Sequence, residues 1–340
     1  MGSQLRHRFG TALAVLVVTA VAGCGAAAAP SSAPPPPVGE LARRVAVATT
    51  EQGTTAHLDA LQRIADENGG TRASGTPGYD RSVDYVAGVL RAAGYQVDTP
   101  VYDAGDGREL RNVVARTRGG DPAAIVLAGA HLDSVPEGPG INDDGTGVAA
   151  LLETAERLGS EPGTRNTVAF GFWGSEEDDL QGSTGYVEGL SRTERGAHLL
   201  YLNADMLGSP NGGYFVQGGT GDDEEETGPP GSGTVAAALG EELARTGVTA
   251  ERVPFVGDDD APFVEAGIPT AGAVTGDADT KTAAQADAWG GTAGEVYDGC
   301  YHSACDTVDN VDRVKLGRYT SAIAGTLARF ADVAARPSGD

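Results

Sequence analysis

The chain has 340 residues, and its 48 aspartates and glutamates outnumber its 24 lysines and arginines, giving a formal net charge of −24. This balance argues against nucleic acid as a partner, because binding phosphate requires a basic surface. We attribute the acidity to solubility outside the cell.

The first 23 residues have the features of a secretory signal. Arg6, His7 and Arg8 precede an apolar run at 11–22, which leads into the sequence VAGC. A basic start, a short apolar segment and small residues are typical of export, and the run is shorter than the ~20 residues that span a bilayer. The position of the cysteine predicts lipidation of Cys24. The alternative is an ordinary signal cleaved within AAAAP.

Residues 24–44 are rich in alanine, proline and serine, a composition that favours extended chain over a packed core. We interpret this segment as a tether between the cell envelope and a folded part. No second proline-rich linker follows in the sequence, so residues 45–335 are expected to form one domain. The protein is therefore expected to be exported, as a membrane-anchored lipoprotein or a secreted protein, and to touch the membrane only through a lipid anchor.

The domain begins with alternating helical and extended patterns. Leu58, Leu61 and Ile64 define one face of a helix over 54–70, and valines recur with the same spacing over 79–95. Alternation of apolar and polar residues then predicts strands over 96–102 and 110–118.

Continuous apolar runs at 123–131, 166–177 and 197–208 predict three strands buried on both faces. Helices are expected at 144–159, 180–190 and, closing the chain, 310–335, with a solvated acidic loop at 221–233. Strands alternating with helices indicate an α/β fold, a single globular domain whose mostly parallel, mixed β-sheet is sandwiched between α-helices.

Four chemically active side chains fall at the ends of these three strands: His131, Glu176, Glu177 and Asp205. Ligand sites in such folds gather at the carboxyl ends of the strands. Of the remaining histidines, His57 is expected on the exposed side of its helix, and His198 has no acidic neighbour in sequence. Both are left out of the candidate site, whereas His302 is retained.

Imidazoles and carboxylates together suit Zn²⁺ at a hydrolytic site. Two ions need about three ligands each and a bridging group. Five side chains satisfy this if one carboxylate bridges: His131, Asp143, Glu177, Asp205 and His302. Two divalent cations balance three carboxylates and one bridging hydroxide. Without the metals, the carboxylates would repel one another and take up protons.

Cys300 and Cys305 are the only cysteines of the predicted mature domain apart from the amino-terminal Cys24. In an exported protein, one disulfide is the simplest use of such a pair. A metal–thiolate site is the weaker alternative, since structural zinc sites use more cysteines. The bridge would frame a short loop around Tyr301 and His302.

Several separated motifs resemble the secreted double-zinc aminopeptidases of the Streptomyces type. They are GAHLDS, GINDDGTG, WGSEE, YLNADMLGSP and CYHSACD, in that order, and the similarity extends over about 55–330. The resemblance implies that His131 and Asp205 bind one zinc, that Glu177 and His302 bind the other, and that Asp143 bridges them. It also implies that Glu176 is the general base and that Tyr301 stabilises the oxyanion. Asp133 would orient His131 from outside the coordination sphere.

The activity implied is removal of the N-terminal residue, with large apolar residues preferred, from peptides that have a free amine. Zinc lowers the pKa of bound water from about 15.7 to near 7, and Glu176 would take the proton and return it to the leaving amine. Where relatives have a histidine in DHAPF, this chain has Asp260, at a position that borders the substrate side. The closing helix lacks the carboxylates that bind calcium in some relatives, so no calcium is predicted.

Three alternatives to an aminopeptidase were weighed, of which the first stays open. Carboxypeptidase or glutaminyl cyclase activity could use the same scaffold. A non-catalytic, peptide-binding envelope lipoprotein would be expected to have lost Glu176 or a ligand, and none is lost. A serine hydrolase is disfavoured because the sequence contains no G-x-S-x-G elbow. We expect a monomer.

Overall fold

The computed structural model describes residues 36–105 and 107–338, all of which belong to one compact unit. The predicted signal at 1–23 and Cys24, the predicted lipidation site, lie outside the described residues. The helices are α1 (Glu40–Ala48), α2 (Glu51–Glu67), α3 (Pro77–Ala92), α4 (Gly145–Leu158), α5 (Gln181–Gly189), α6 (Arg192–Ala197), α7 (Glu224–Thr227), α8 (Ser232–Arg245), α9 (Ala261–Glu265), α10 (Ala283–Trp289) and α11 (Arg313–Phe330). The strands are β1 (Gln96–Asp98), β2 (Val101–Asp103), β3 (Glu109–Arg111), β4 (Val113–Arg116), β5 (Asp121–His131), β6 (Asn166–Trp173), β7 (His198–Ala204), β8 (Phe215–Gln217), β9 (Glu251–Val253) and β10 (Thr270–Val274).

Within the described residues, eight strands form one sheet in the order β1-β4-β6-β5-β7-β10-β8-β9. The central strands β6, β5, β7 and β10 run parallel to one another. On one side β4 pairs antiparallel with β6 and β1 pairs antiparallel with β4; on the other, β8 pairs antiparallel with β10 and β9 pairs parallel with β8. This confirms the mostly parallel, mixed sheet. The pairing places His131 opposite Trp173, so the carboxyl ends of β5 and β6 coincide.

Side-chain alternation along each strand builds a core on both sides of the sheet. On β5, Val126, Ala128 and Ala130 pack with the apolar faces of α2, α3, α4, α8 and α11. Ile125 and Leu127 point the other way, into a smaller cluster with residues of α5, α6 and α9. Burial on both faces explains why the three central strands are continuous apolar runs.

The two strands expected over 96–102 and 110–118 are each divided in two. Gln96–Asp98 and Val113–Arg116 pair in the main sheet, whereas Val101–Asp103 and Glu109–Arg111 form a separate two-stranded sheet. Pro100 lies at the first division and has no N–H to donate to a neighbouring strand. Its carbonyl accepts a hydrogen bond from the N–H of Asn112, at the second division, at 2.9 Å.

The expectation that His57 is exposed is wrong, because its side chain is only 6% exposed. Helix α2 packs against both α3 and α4, so the buried face is wider than the stripe of Leu58 and Leu61. The His57 ring lies 2.7 Å from the hydroxyl of Tyr85 on α3 and 3.5 Å from a carboxylate oxygen of Glu156 on α4.

Two segments expected to lack regular structure contain helix. Helix α1 begins at Glu40, inside the predicted tether, and buries Ala42 and Val45 against α11. The acidic segment 221–233 is solvated at its start as expected, but it contains the short helix α7 and the first turn of α8. None of the described helices combines the length and hydropathy needed to cross a membrane.

Candidate metal centre

The predicted ligands come together at the carboxyl edge of the parallel strands. His131 is the last residue of β5, Asp205 follows β7 directly, and Glu177 comes four residues after the end of β6. Asp143 precedes Asp144, whose side chain caps the first turn of α4. Strand ends and a helix start therefore supply four of the five side chains.

Asp143 lies between the two histidines. One of its carboxylate oxygens is 2.9 Å from Nε2 of His131, and the other is 3.2 Å from Nε2 of His302. Asp205 approaches the same His131 nitrogen at 3.7 Å, and Glu177 approaches the same His302 nitrogen at 3.0 Å. The geometry has the form of two three-residue sets that share Asp143.

These residues fit a metal by their unpaired atoms as well as by their type. Oε1 of Glu177 and Oδ1 of Asp205 are buried and have no hydrogen-bond partner. Unpaired buried polar atoms are costly, and in native proteins they call for an explanation such as an ion. Nitrogen and carboxylate donors without thiolates are a donor set that Zn²⁺ accepts.

The pKa values of the clustered side chains are shifted because their negative charges are not neutralised within the protein. Burial, together with the charge of Asp143, raises the pKa of Glu177 to about 7. Burial, together with the charge of Asp144, raises the pKa of Asp205 well above its usual range. Burial alone would lower the pKa of His131, but the surrounding carboxylates raise it well above its ordinary value. The folded chain thus gathers more negative charge here than its own cations offset.

Glu176 and Glu177 are adjacent but meet different surroundings. Burial raises the pKa of Glu176 to about 9, with a further contribution from the nearby carboxylate of Asp259. The backbone N–H of Glu176 donates to Oδ1 of Asp133 at 3.2 Å. The same Asp133 oxygen lies 3.7 Å from Nδ1 of His131, so Asp133 contacts both the predicted base and a predicted ligand.

The loop that carries His302 is closed by a disulfide between Cys300 and Cys305, as expected. His302 has a φ of 52°, in the left-handed region that non-glycine residues rarely occupy. The ring of Tyr301 stacks on the imidazole of His302 with centroids 3.8 Å apart. Burial and the charges of Asp143, Glu177 and Asp205 raise the pKa of the Tyr301 hydroxyl.

Supporting residues that the sequence did not single out hold the Asp143 loop in place. Asp306 accepts hydrogen bonds from the N–H groups of Asn142 and Asp143 at 2.8 and 3.0 Å. Asp144 accepts from the N–H groups of His131, Gly147 and Met206, which ties β5, α4 and the end of β7 together. A signal was present in the motifs NDDG and CYHSACD, but a sequence cannot separate a carboxylate that accepts N–H groups from one that binds metal.

Gly147 shows how tightly this corner is packed. A Cβ atom at this position would lie 2.3 Å from the carbonyl oxygen of Ala204 and against the carboxylate of Asp144. The start of α4 can therefore approach the end of β7 only because residue 147 lacks a side chain. That approach lets the N–H of Met206, the residue after Asp205, donate to the carboxylate of Asp144 at 3.2 Å.

Arg72 is a further supporting residue to which the sequence analysis assigned no role. Its guanidinium is fully buried and donates to the carbonyls of Leu132, Pro139 and Gly140. It thereby holds the segment between His131 and Asp143 in one conformation. Its charge also lies close to the carboxylates of Asp133, Asp306, Asp144 and Asp143.

The chain is similar to known peptidases in sequence and in fold. Residues 112–327 match peptidase family M28. The chain is 45% identical over 275 residues to leupeptin-inactivating enzyme 1 of Streptomyces exfoliatus, an alignment that covers 79% of this chain and 59% of that enzyme. It is 32% identical over 477 aligned residues to the Mycobacterium tuberculosis protein named "Probable lipoprotein aminopeptidase LpqL", with 96% of this chain and 95% of that protein covered.

The fold is similar to that of BSAP, a zinc aminopeptidase from Bacillus subtilis, with a TM-score of 0.55 and 23% identity over 69% of this chain and 54% of that one. The chain thus spans less than two thirds of the Streptomyces enzyme and nearly all of LpqL. The family match includes all five predicted metal ligands and confirms the resemblance that the motifs indicated. The chain belongs to peptidase family M28.

Proposed function

We propose that this protein is an exported di-zinc aminopeptidase that removes the N-terminal residue from peptides. The observation that carries the proposal is the position of Asp143 between His131 and His302, with Asp205 and Glu177 completing the two sets. One buried carboxylate oxygen without a partner in each set, Oε1 of Glu177 and Oδ1 of Asp205, supports two cations there. The names of the M. tuberculosis and B. subtilis proteins support the activity and the metal.

In this proposal Glu176 handles the proton. Zinc ions bound by the five ligands would polarise the substrate carbonyl and lower the pKa of water near Glu176. Glu176 accepts a proton from the attacking water and later gives it to the leaving amine, as a general base that becomes a general acid. Asp133 fixes the backbone of Glu176 through its 3.2 Å contact and keeps the carboxylate directed at the substrate.

Two further groups complete the proposed site. Tyr301, whose ring stacks on the proposed ligand His302, donates its hydroxyl proton in a hydrogen bond to the oxyanion as the carbonyl carbon becomes tetrahedral. Carboxylate oxygens of Glu176, Asp205 and Asp258 lie within 4.8 Å of one another. This trio suits the free α-ammonium of a peptide and explains why only the first residue would be removed.

Export and anchoring are also proposals, with lipidated Cys24 as the anchor and 24–44 as the tether. The name of the M. tuberculosis relative supports a lipoprotein. The fatty-acyl chain would hold the enzyme at the envelope surface, where its substrates would be extracellular peptides. We propose a monomer, with the metal centre built from one chain.

Metal analysis and substrate tests of the purified protein decide the proposal. We expect two zinc ions per chain, release of leucine from a leucine anilide, loss of that activity with a chelator and its return with zinc. N-acetyl-leucine anilide should not be cleaved. Release of a C-terminal residue, or cyclisation of an N-terminal glutamine, without release of leucine would assign the scaffold to carboxypeptidase or glutaminyl cyclase activity. Zinc bound without any of these reactions would indicate a peptide-binding protein.

A further inference from the structure

Asn142, the residue before the proposed bridging ligand Asp143, links separate segments of the metal centre through its side chain. Its Nδ2 donates to Oδ2 of Asp298 at 2.6 Å and to Oγ of Ser209 at 3.1 Å. Its Oδ1 accepts from the N–H of Gly208 at 3.0 Å. The side chain is 0% exposed, and each end of the amide has partners of the matching kind, so its orientation is fixed.

Asp298 extends this link to the loop that carries His302. Its carboxylate is buried, and its Oδ1 accepts from the backbone N–H of Cys300 at 2.7 Å, where the disulfide loop begins. A hydrogen bond to a carboxylate is stronger than one between neutral groups, and burial excludes competing water. The bond between Asn142 and Asp298 is therefore a firm connection between the segments of Asp143 and His302.

The proposed ligands differ in how they are held. His131 ends β5, where that strand pairs with β6. The N–H of Asp205 donates to the carbonyl of Ala273 on β10 at 3.1 Å. His302 instead lies on a loop outside the sheet. The position of its imidazole beside Asp143 therefore depends on the bonds that hold this loop.

Loss of the Asn142 side chain would leave the Asp143 backbone in place. The N–H groups of both residues donate to Asp306, and the carbonyl of Asn142 accepts from Oγ1 of Thr146 at 2.7 Å. None of these bonds uses the side chain of Asn142. The effect falls instead on Asp298, which would lose a buried partner and hold the start of the disulfide loop less firmly.

We propose that Asn142 and Asp298 are positioning residues for one of the two zinc ions, the ion of the His302 site. This site comprises His302, Glu177 and the shared Asp143. The hydrogen bond between the two positioning residues sets the position of His302 relative to Asp143, and thereby the affinity of the site for zinc. The other ion depends on this bond much less, because its ligands are held by the sheet. The inference rests on the proposed di-zinc function.

The test measures the two zinc dissociation constants of each variant by competition with a chromophoric chelator. Asn142→Ala should weaken the His302 site by about 10–100-fold, the usual effect of removing an outer partner of a metal ligand, and leave the other zinc tightly bound. Asp298→Asn, which keeps the shape of the carboxylate without its charge, should weaken the same site. Excess zinc should restore kcat in Asn142→Ala with KM unchanged, because every ligand and Glu176 are still present.

Asn166→Ala is the matched control. Asn166 is a buried asparagine at the amino end of β6, away from the metal centre, and its Nδ2 donates to the carbonyls of Phe330 and Val333 at 2.9 and 3.0 Å. Its removal should lower the free energy of unfolding and leave both zinc dissociation constants unchanged. Equal weakening of zinc binding in Asn166→Ala and Asn142→Ala would indicate a general loss of stability and overturn the proposal.

A second comparison identifies the site that is affected. His302→Ala removes a ligand of the His302 site, so adding Asn142→Ala to it should leave the affinity for the remaining zinc unchanged. A further loss in the double variant would place the effect at the other site and overturn the proposal. Unchanged zinc affinity in both Asn142→Ala and Asp298→Asn would also overturn it. If Asn142→Ala does not fold, Asp298→Asn replaces it in each comparison.

The natural protein separates failure of this inference from failure of the proposed function. If it binds two zinc ions and releases leucine from the anilide, the function stands whatever the variants show. If it binds no zinc, the di-zinc aminopeptidase function is rejected, and this inference with it.

Discussion

Two buried clusters of histidine and carboxylate in this chain have similar composition but different chemistry. His57, Glu153 and Glu156 form one cluster between α2 and α4, and His131, Asp143 and Glu177 belong to the other. In both, three ligand atoms lie within 4.8 Å of one another. Proximity alone would make each a candidate metal site.

The His57 cluster already contains the partners it needs. Nδ1 of His57 bonds to the hydroxyl of Tyr85 at 2.7 Å. Glu153 accepts from the N–H of Thr50 at 2.7 Å, and both of its oxygens accept from the guanidinium of Arg157. A metal here would have to displace an arginine and a helix cap, so we assign this cluster a structural role.

The cluster at the sheet edge lacks such partners. Two of its carboxylate oxygens, Oε1 of Glu177 and Oδ1 of Asp205, are buried and accept no hydrogen bond. The difference shows that a metal site is better recognised by unpaired buried ligands than by residue types or spacing. Variants made in parallel in the two clusters test this interpretation.

The largest contrast is expected between the glutamates. Glu176→Gln should lower kcat by about 10³-fold, because general acid–base catalysis contributes ~10²–10⁴, while both zinc ions stay bound. Glu153→Gln should leave kcat unchanged and lower the free energy of unfolding by about 1–3 kcal/mol, because the bond to Arg157 weakens. Kinetics, metal analysis and denaturant unfolding measure the three quantities. Loss of zinc from Glu176→Gln would show that this residue is a ligand.

The histidines give the next contrast. His302→Ala should reduce the zinc content from about two ions to about one, because one set keeps only Glu177 and the shared Asp143. His57→Ala should leave the zinc content unchanged and reduce stability, since it removes a packed side chain bonded to Tyr85. Equal zinc content in both variants would remove His302 from the proposed ligands.

The smallest contrast concerns the two tyrosines that accompany these histidines. Tyr301→Phe should lower kcat about ten- to a hundredfold with a smaller change in KM, because the hydroxyl acts on the developing oxyanion. Tyr85→Phe should leave kcat unchanged and cost about 1–3 kcal/mol of stability, because His57 Nδ1 loses its partner. An unaltered kcat in Tyr301→Phe would exclude its hydroxyl from the mechanism.

Much of the fold could be predicted because its signals are local. The apolar runs that became β5, β6 and β7 reflect burial on both faces, and this requirement is visible residue by residue. The chemically active residues at their ends were found because parallel strands align their carboxyl ends at one edge. Three of the proposed ligands, His131, Glu177 and Asp205, therefore follow from the sequence pattern joined to one topological rule.

Only the tertiary structure decided which polar side chains are buried and which distant ones lie close together. Helix periodicity placed His57 on the solvent side, but packing against two other helices buried it. The acidic segment at 221–233 and the run at 258–260 are 30 or so residues apart, yet Glu225, Glu226 and Asp260 line one pocket. Such encounters depend on how distant elements pack, and no local pattern records them.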